Sequence, residues 1–216
     1  MRRSIQAARE QLVEDRSEWS RRLGSHIAEW QGRCDREDLT LLSEMHQFAV
    51  RRAERDSLLA IEQLGAEEAR RLLGTADPQA LRWASHAALS LALLGRPRDA
   101  WDMLAPLMPL ERPTTIPEIQ WYWVLNHACA LLVELREFGA ALPRCRAYED
   151  WAQRRGRRAF EAEYFLCRAL VGAKQWLEAR ERIGGLLLYA ESHAKGKRAR
   201  AFAEELKQLL SECEGQ

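Results

Sequence analysis

Apolar residues recur along most of the chain at the three- and four-residue spacing of an amphipathic α-helix, with charged residues between them. In the first stretch they fall at steps of three, four or seven: Ile5, Ala8, Leu12, Trp19, Leu23, Ile27 and Trp30. This stripe predicts one long amphipathic helix over residues 5–30. Alternating β-branched runs and the Asn-Gly or Asp-Gly turns of β-hairpins do not occur in the sequence. The pattern therefore predicts an all-α protein.

Breaks in the pattern divide the rest of the first third of the chain. Residues 32–35 interrupt the stripe, and a second long helix is predicted from about Asp38. Its apolar side holds Leu39, Leu42, Met45, Ala49, Ala53, Leu59 and Ala60. Gly65 and the Gly-Thr-Ala-Asp-Pro segment 74–78 bracket a short predicted helix over residues 67–73, since glycine and proline are common at helix ends. Asp77 before Pro78 predicts an N-cap and a first-turn proline for the next helix.

From residue 77 onward the sequence repeats itself. Ala88, Cys129 and Cys167 occupy equivalent positions, 41 and then 38 residues apart. The same two offsets relate seven further columns: Ala87/Ala128/Leu166, Leu91/Leu132/Leu170, Leu94/Leu135/Ala173, Pro97/Phe138/Trp176, Ala100/Ala141/Ala179, Leu104/Cys145/Ile183 and Leu107/Tyr148/Leu186. Periods of this size indicate stacked helix pairs. The small residues at the Ala88 and Ala100 columns would let the two helices of each pair approach closely.

These columns resemble the tetratricopeptide repeat (TPR): a small residue midway in helix A, an aromatic before helix B, then alanine and two apolar positions. The resemblance is clearest in residues 121–132, WYWVLNHACALL, followed by Phe138 and Ala141. It implies a right-handed TPR-like solenoid of helical hairpins. The copies run longer than the family period of about 34 residues, and connector 106–117 holds four of the seven prolines. A HEAT-like or irregular α-solenoid stays an alternative.

The resulting domain hypothesis has three parts. Residues 1–76 form N-terminal amphipathic helices that pack on or extend the array, residues 77–194 form three TPR-like hairpins, and residues 195–216 form a C-terminal capping helix. A cap is expected because a solenoid must cover its last apolar face.

The resemblance also implies that a partner binds along a concave groove lined by the A helices. Carried over by position, the predicted groove residues are Arg82 and His86; Trp123, Asn126 and His127; and Glu161, Tyr164, Phe165 and Arg168. Aromatic and arginine side chains are typical of binding hot spots. The alternative is that Trp123, Tyr164 and Phe165 pack against the N-terminal helices as part of the core.

Composition excludes several classes of protein. The 216 residues include 33 basic and 32 acidic side chains, a net charge of +1, so no global field favours nucleic acid or an anionic membrane. The N-terminus lacks the apolar run of a signal peptide, and the apolar stretch 121–135 is shorter than the roughly 20 residues that span a bilayer. We expect a cytoplasmic protein with no membrane partner.

Candidate chemistry is sparse. The sequence contains no P-loop, GxGxxG, HExxH or GxSxG motif, and the SxxK string at residues 192–195 lacks its companion motifs. His86, His127 and Cys129 suggest a metal site, but His127 and Cys129 are two apart on a helix and face different ways. The five cysteines form no CxxC pair. We therefore predict no catalytic residues, no metal and no cofactor, and so no enzyme.

The leading hypothesis is a protein-interaction module, such as an adaptor, chaperone or assembly scaffold, that binds a peptide or helix of another protein. Homo-oligomerisation through the N-terminal helices is a further hypothesis. One alternative is a nucleic-acid-associated protein that uses the basic clusters at 154–158 and 195–200. Another is a structural subunit of a larger bacterial complex such as a secretion or defence assembly.

Overall fold

The structure is a computed structural model that describes residues 1–14, 16–50, 55–155, 160–193 and 197–215. These ranges contain eleven α-helices, one 3₁₀ turn at Ala105–Leu107 and no strand. The helices are α1 (Arg2–Glu14), α2 (Arg16–Trp30), α3 (Arg36–Ala49), α4 (Arg55–Leu73), α5 (Pro78–Leu93), α6 (Pro97–Leu104), α7 (Glu118–Glu134), α8 (Phe138–Arg154), α9 (Phe160–Gly172), α10 (Trp176–His193) and α11 (Lys197–Glu214). The all-α prediction is confirmed.

The chain forms two compact units, residues 1–121 and residues 122–216. The first contains α1 to α6 and the start of α7, and the second contains the rest of α7 and α8 to α11. The two units are described in turn.

The N-terminal stripe forms two helices, so the prediction of one long helix over residues 5–30 is wrong. The Trp30 indole Nε1 donates a hydrogen bond of 3.0 Å to the Ser4 hydroxyl. In one straight helix these residues would lie about 39 Å apart, at about 1.5 Å per residue. Helices α1 and α2 therefore fold back on each other, and both halves of the stripe are buried in the first unit except Ile27, which is half-buried.

The second predicted long helix is also divided, into α3 and α4. His46 Nε2 lies 2.9 Å from Glu62 Oε1, whereas sixteen residues of continuous helix would separate them by about 24 Å. The Asp35 side chain accepts hydrogen bonds from the Glu37 and Asp38 amides, so it caps the start of α3. The predicted apolar position Ala53 lies outside the described residues.

Gly65 lies inside α4 and does not end a helix, so the short helix predicted over residues 67–73 is the last part of a longer one. The reason is packing: a Cβ atom at Gly65 would overlap the indole ring of Trp83 on α5. Because glycine has no side chain, the Trp83 ring can pack directly against the backbone of α4 at this position.

The predicted start of α5 is confirmed. The Asp77 carboxylate accepts a 2.7 Å hydrogen bond from the Gln79 amide, and Pro78 occupies the first turn of the helix. After α6, the proline-rich connector contains only the short 3₁₀ turn and then irregular chain up to α7. Missing proline N–H donors account for the absence of an α-helix there.

The repeat register agrees with burial. The six small residues assigned to the close helix contacts are all at most 1% exposed: Ala88, Ala100, Cys129, Ala141, Cys167 and Ala179. Each lies on the helix that the repeat predicts, in α5 to α10 respectively. Small side chains at these positions allow helix axes to come together.

The three A–B turns share one backbone geometry. In each turn a residue with positive φ follows helix A: Gly95 (75°), Arg136 (60°) and Lys174 (60°). The next amide donates to the carbonyl five residues earlier: Arg96 to Leu91 at 2.9 Å, Glu137 to Leu132 at 2.8 Å, and Gln175 to Leu170 at 2.9 Å. This is the Schellman ending of a helix. The turns recur at the 41- and 38-residue offsets of the repeat, so the register extends to the backbone.

Helix α11 (Lys197–Glu214) lies in the segment 195–216, for which a capping helix is predicted. It packs on α10 and α9, with Leu206 and Cys213 buried and Phe202, Leu209 and Leu210 half-buried. The Phe202 ring meets the rings of Phe160 and Tyr164 edge-on. The last apolar face of the second unit is thereby covered.

Candidate functional site

The exposed aromatic of the second unit lies on α7. Trp123 is 44% exposed, and its ring meets the His127 imidazole edge-on with centroids 4.5 Å apart. Asn126 and His127 lie three and four residues after Trp123, so each lies beside it on one face of the helix. The core of α7 points the other way, through Val124, Leu125 and Cys129.

Two polar atoms on this α7 face are buried. Asn126 Oδ1 and His127 Nδ1 have no hydrogen-bond partner within the described residues. Burial lowers the pKa of His127, which favours the neutral imidazole. A neutral imidazole has one nitrogen that can accept a hydrogen bond. The face therefore combines a large exposed ring with two buried polar atoms that no described group satisfies.

On α9, Tyr164 belongs to the interior. It is 6% exposed, and its hydroxyl donates a hydrogen bond to the Glu205 carboxylate of α11. Burial, together with this hydrogen bond, raises the pKa of Tyr164 to about 12. Tyr164 thus packs against the capping helix.

The other predicted α9 residues are more accessible. Glu161 and Arg168 are exposed and Phe165 is half-buried. The Arg168 guanidinium lies 5.8 Å from the centre of the Tyr164 ring, where a cation is favoured over the π-face. Arg168 also lines an open depression of about 320 Å³ with Glu205, Gln208 and Glu212 of α11. The buried Tyr164 ring therefore contacts the exposed Arg168 guanidinium and favours its position.

In the first unit, Arg82 and His86 line a cavity of about 90 Å³. The other lining residues are Ser43, His46, Gln79 and Trp83. His86 lies beside His46, with ring centroids 5.0 Å apart. Sequence reasoning found His86 but missed His46 and its neighbour Glu62, because their pairing depends on the reversal between α3 and α4.

All five cysteines are buried and form no disulfide. Burial raises the pKa of Cys34 and Cys167 to about 12 and also raises that of Cys213. A hydrogen bond with Cys145, together with burial, raises the pKa of Cys129. Thiols held in this way stay protonated at neutral pH and are poor nucleophiles.

The two basic clusters fall partly outside the described residues. Arg154 and Arg155 are exposed at the end of α8, and the Arg155 guanidinium lies 5.1 Å from the Trp151 ring centre. Residues 157, 158 and 195 lie outside the described ranges, as do the side chains of residues 197–200. The nucleic-acid hypothesis stays a prediction.

None of the helices in the described ranges combines the length and the apolar character that crossing a bilayer requires.

Comparison with known proteins supports the fold. No family model matches the chain, and a search of curated proteins finds no significant match. Among solved structures, the chain is similar to the MamA RS-1 ArsTM double mutant, with a TM-score of 0.52 and 19% identity over 82% of this chain and 94% of that one. The chain therefore has a TPR-like helical fold.

Proposed function

We propose that this protein is a non-catalytic protein-interaction module that binds a peptide or helix of a partner protein. The binding residues are Trp123, Asn126 and His127 on α7, with Glu161, Phe165 and Arg168 on α9. An adaptor, chaperone or assembly scaffold would each use such a surface. The TPR-like fold supports this class of function, since helical repeats present extended surfaces for other chains.

The observation that carries the proposal is the α7 face. An exposed tryptophan presents a large rigid contact area, and tryptophan is enriched among binding hot spots. Beside it, Asn126 Oδ1 and His127 Nδ1 are buried polar atoms that no described group satisfies. A buried polar atom without a partner costs about 1–3 kcal/mol. Rotation of the two side chains toward a bound chain would let polar groups of that chain satisfy both atoms, while Trp123 covers an apolar side chain.

The α9 residues extend the surface and give it charge. Glu161 and Arg168 are exposed with opposite charges, seven residues or two helical turns apart, so they lie on the same side of α9. Between them in sequence, Tyr164 donates a hydrogen bond to Glu205 of α11, and its ring lies beside the Arg168 guanidinium. We therefore assign Arg168 to the partner contact and Tyr164 to its positioning.

Co-purification from the native cell, followed by mass spectrometry, tests the proposal. The bait is the full chain in three forms: wild type, Trp123→Ala and the double variant Trp123→Ala/Arg168→Ala. Loss of a hot-spot side chain costs about 2 kcal/mol or more, so a purified partner should bind the Trp123 variant roughly 30-fold more weakly. Leu188→Ala on α10 is the matched control, because Leu188 is also large, apolar and exposed, at 68%.

The expected result is a partner that binds the wild type and Leu188→Ala equally and binds the Trp123 variants weakly. A partner whose affinity is unchanged by the double variant would place the contact elsewhere and overturn the assignment. Far-UV circular dichroism of each variant checks that the helices are intact.

A further inference from the structure

A second group of polar residues lies in the first unit. His46 on α3, Glu62 on α4 and His86 on α5 each offer one ligand atom, and these three atoms lie within 4.8 Å of one another. His46 is 7% exposed, Glu62 is 3% exposed, and His86 is half-buried at the edge of the cavity that Arg82 also lines. Three different helices therefore bring two imidazoles and one carboxylate together.

The carboxylate is only half satisfied. Glu62 Oε1 lies 2.9 Å from His46 Nε2, but Glu62 Oε2 is buried and has no hydrogen-bond partner among the described residues. A buried carboxylate is costly unless it is paired, hydrogen-bonded or bound to a metal ion. The second oxygen can therefore take a further hydrogen-bond donor or a metal ion.

The surroundings hold the ligands in place. The Trp83 ring meets His46 at an angle of 67° with centroids 5.3 Å apart, and Trp83 itself packs against the backbone of α4 at Gly65. The His46 and His86 rings are 5.0 Å apart at an angle of 49°. Packed aromatic neighbours restrict the rotation of an imidazole, which favours binding by lowering the entropy lost.

We propose that His46, Glu62 and His86 form a binding site for a divalent first-row transition metal ion of the zinc type. Zinc bonds to histidine nitrogen and carboxylate oxygen at about 2.0–2.2 Å, so tetrahedral ligands lie roughly 3.3 Å apart. Small side-chain rotations bring three atoms now within 4.8 Å to that spacing. The metal replaces the contact between His46 and Glu62 as the link between α3 and α4.

The donor set defines the class of metal. Two imidazoles with one carboxylate suit zinc, cobalt, nickel or ferrous iron, whereas calcium and magnesium take oxygen ligands. Three protein ligands leave a fourth position, and the cavity of about 90 Å³ that His46, His86 and Arg82 line offers space for it. A water molecule or a small anion would complete the coordination there, as in zinc sites with three protein ligands.

The test is titration of the full, tag-free chain with Zn²⁺ after removal of metal by a chelator. Isothermal calorimetry measures stoichiometry and affinity, and Co²⁺ reports ligand geometry through its visible absorption. We expect one ion per chain, with affinity at least tenfold lower in His86→Gln, since even loss of an outer-shell partner costs about 10- to 100-fold. His86→Gln is the preferred variant because His86 is only half-buried, whereas Glu62→Gln alters a buried pair.

His26→Gln is the matched control. His26 on α2 lies in the same unit as His86 and is also half-buried, but it lies outside the cluster. It should bind Zn²⁺ as the wild type does. The proposal fails if the wild type takes up neither Zn²⁺ nor Co²⁺ at one equivalent, or if His86→Gln and Glu62→Gln bind like the wild type. In either case the His46–Glu62 contact is a structural hydrogen bond alone.

Discussion

Replacing Gly65 with alanine sets two opposite effects against each other. In a helix interior, alanine is favoured over glycine by about 0.5–1 kcal/mol because glycine loses more backbone freedom on folding. An added Cβ at Gly65, however, would lie 2.7 Å from Trp83 Cε2 and closer still to two other ring atoms. Carbon atoms in contact normally lie about 3.5–4.0 Å apart. Either the ring or the helix must move.

The clash should win. Trp83 is 3% exposed and packed against His46, so its ring cannot turn away into solvent. Overpacking of a core costs about 1–3 kcal/mol. After subtraction of the propensity gain, which leaves about 0–2.5 kcal/mol, Gly65→Ala should lower the free energy of unfolding by about 1 kcal/mol at the middle of that range. Urea denaturation followed by tryptophan fluorescence and far-UV circular dichroism measures this change.

Gly24→Ala is the control in the same unit. Gly24 lies inside α2 and a Cβ there meets no atom within 4 Å, so this variant should gain about 0.5–1 kcal/mol. A double variant Gly65→Ala/Trp83→Phe should recover part of the loss, because the smaller ring leaves room for the methyl group. If Gly65→Ala proves as stable as Gly24→Ala, the Trp83 ring does not pack against Gly65 closely enough to exclude a methyl group, and the reasoning is refuted.

Three further predictions concern the A–B turns, a proline inside a helix and an ion pair. Lys174→Gly should raise the free energy of unfolding by about 0.5–1 kcal/mol, because a φ of 60° strains a residue with a side chain but not glycine. Gly95→Ala should lower it by a similar amount, because alanine would have to adopt a positive φ there. Urea titrations measure both changes. Pro143→Ala should stabilise α8 by about 1–3 kcal/mol, seen as a higher denaturation midpoint, because proline inside a helix removes one hydrogen bond. Hydrogen bonds from Arg146 lower the pKa of Glu178. The stability that this carboxylate contributes is therefore present above the usual pKa of 4.5 and is lost as the pH falls through the lower pKa of the folded state. Glu178→Gln should therefore weaken the fall in the free energy of unfolding at acid pH.

The repeat region could be predicted from sequence because small residues recur there at equivalent positions. Columns such as Ala100/Ala141/Ala179 admit few side chains where helices nearly touch, and all three members are buried. The left-handed turns were less evident, because two of the three positions hold Arg136 and Lys174 where glycine would have marked them. The Schellman hydrogen bonds donated by the Glu137 and Gln175 amides accompany that conformation, although neither side chain marks it in the sequence.

The N-terminal region could not be predicted as well, for a different reason. Leu12 and Trp19 are seven residues apart, which keeps the stripe in phase across the reversal between α1 and α2. Periodicity is the same for one long helix and for two helices that face each other. Gly65 likewise resembled a helix end, because glycine marks both helix ends and close contacts. The pairing of His46 with Glu62 depends on these reversals and was therefore hidden.

The native buried cysteines can report local unfolding in each of the two units. Cys34 is the only cysteine in residues 1–121, whereas Cys129, Cys145, Cys167 and Cys213 all belong to residues 122–216. Since each thiol is buried, alkylation has to wait until the surrounding helices separate. Peptide-resolved labelling over time would therefore show which half of the molecule opens first, with no engineered probe.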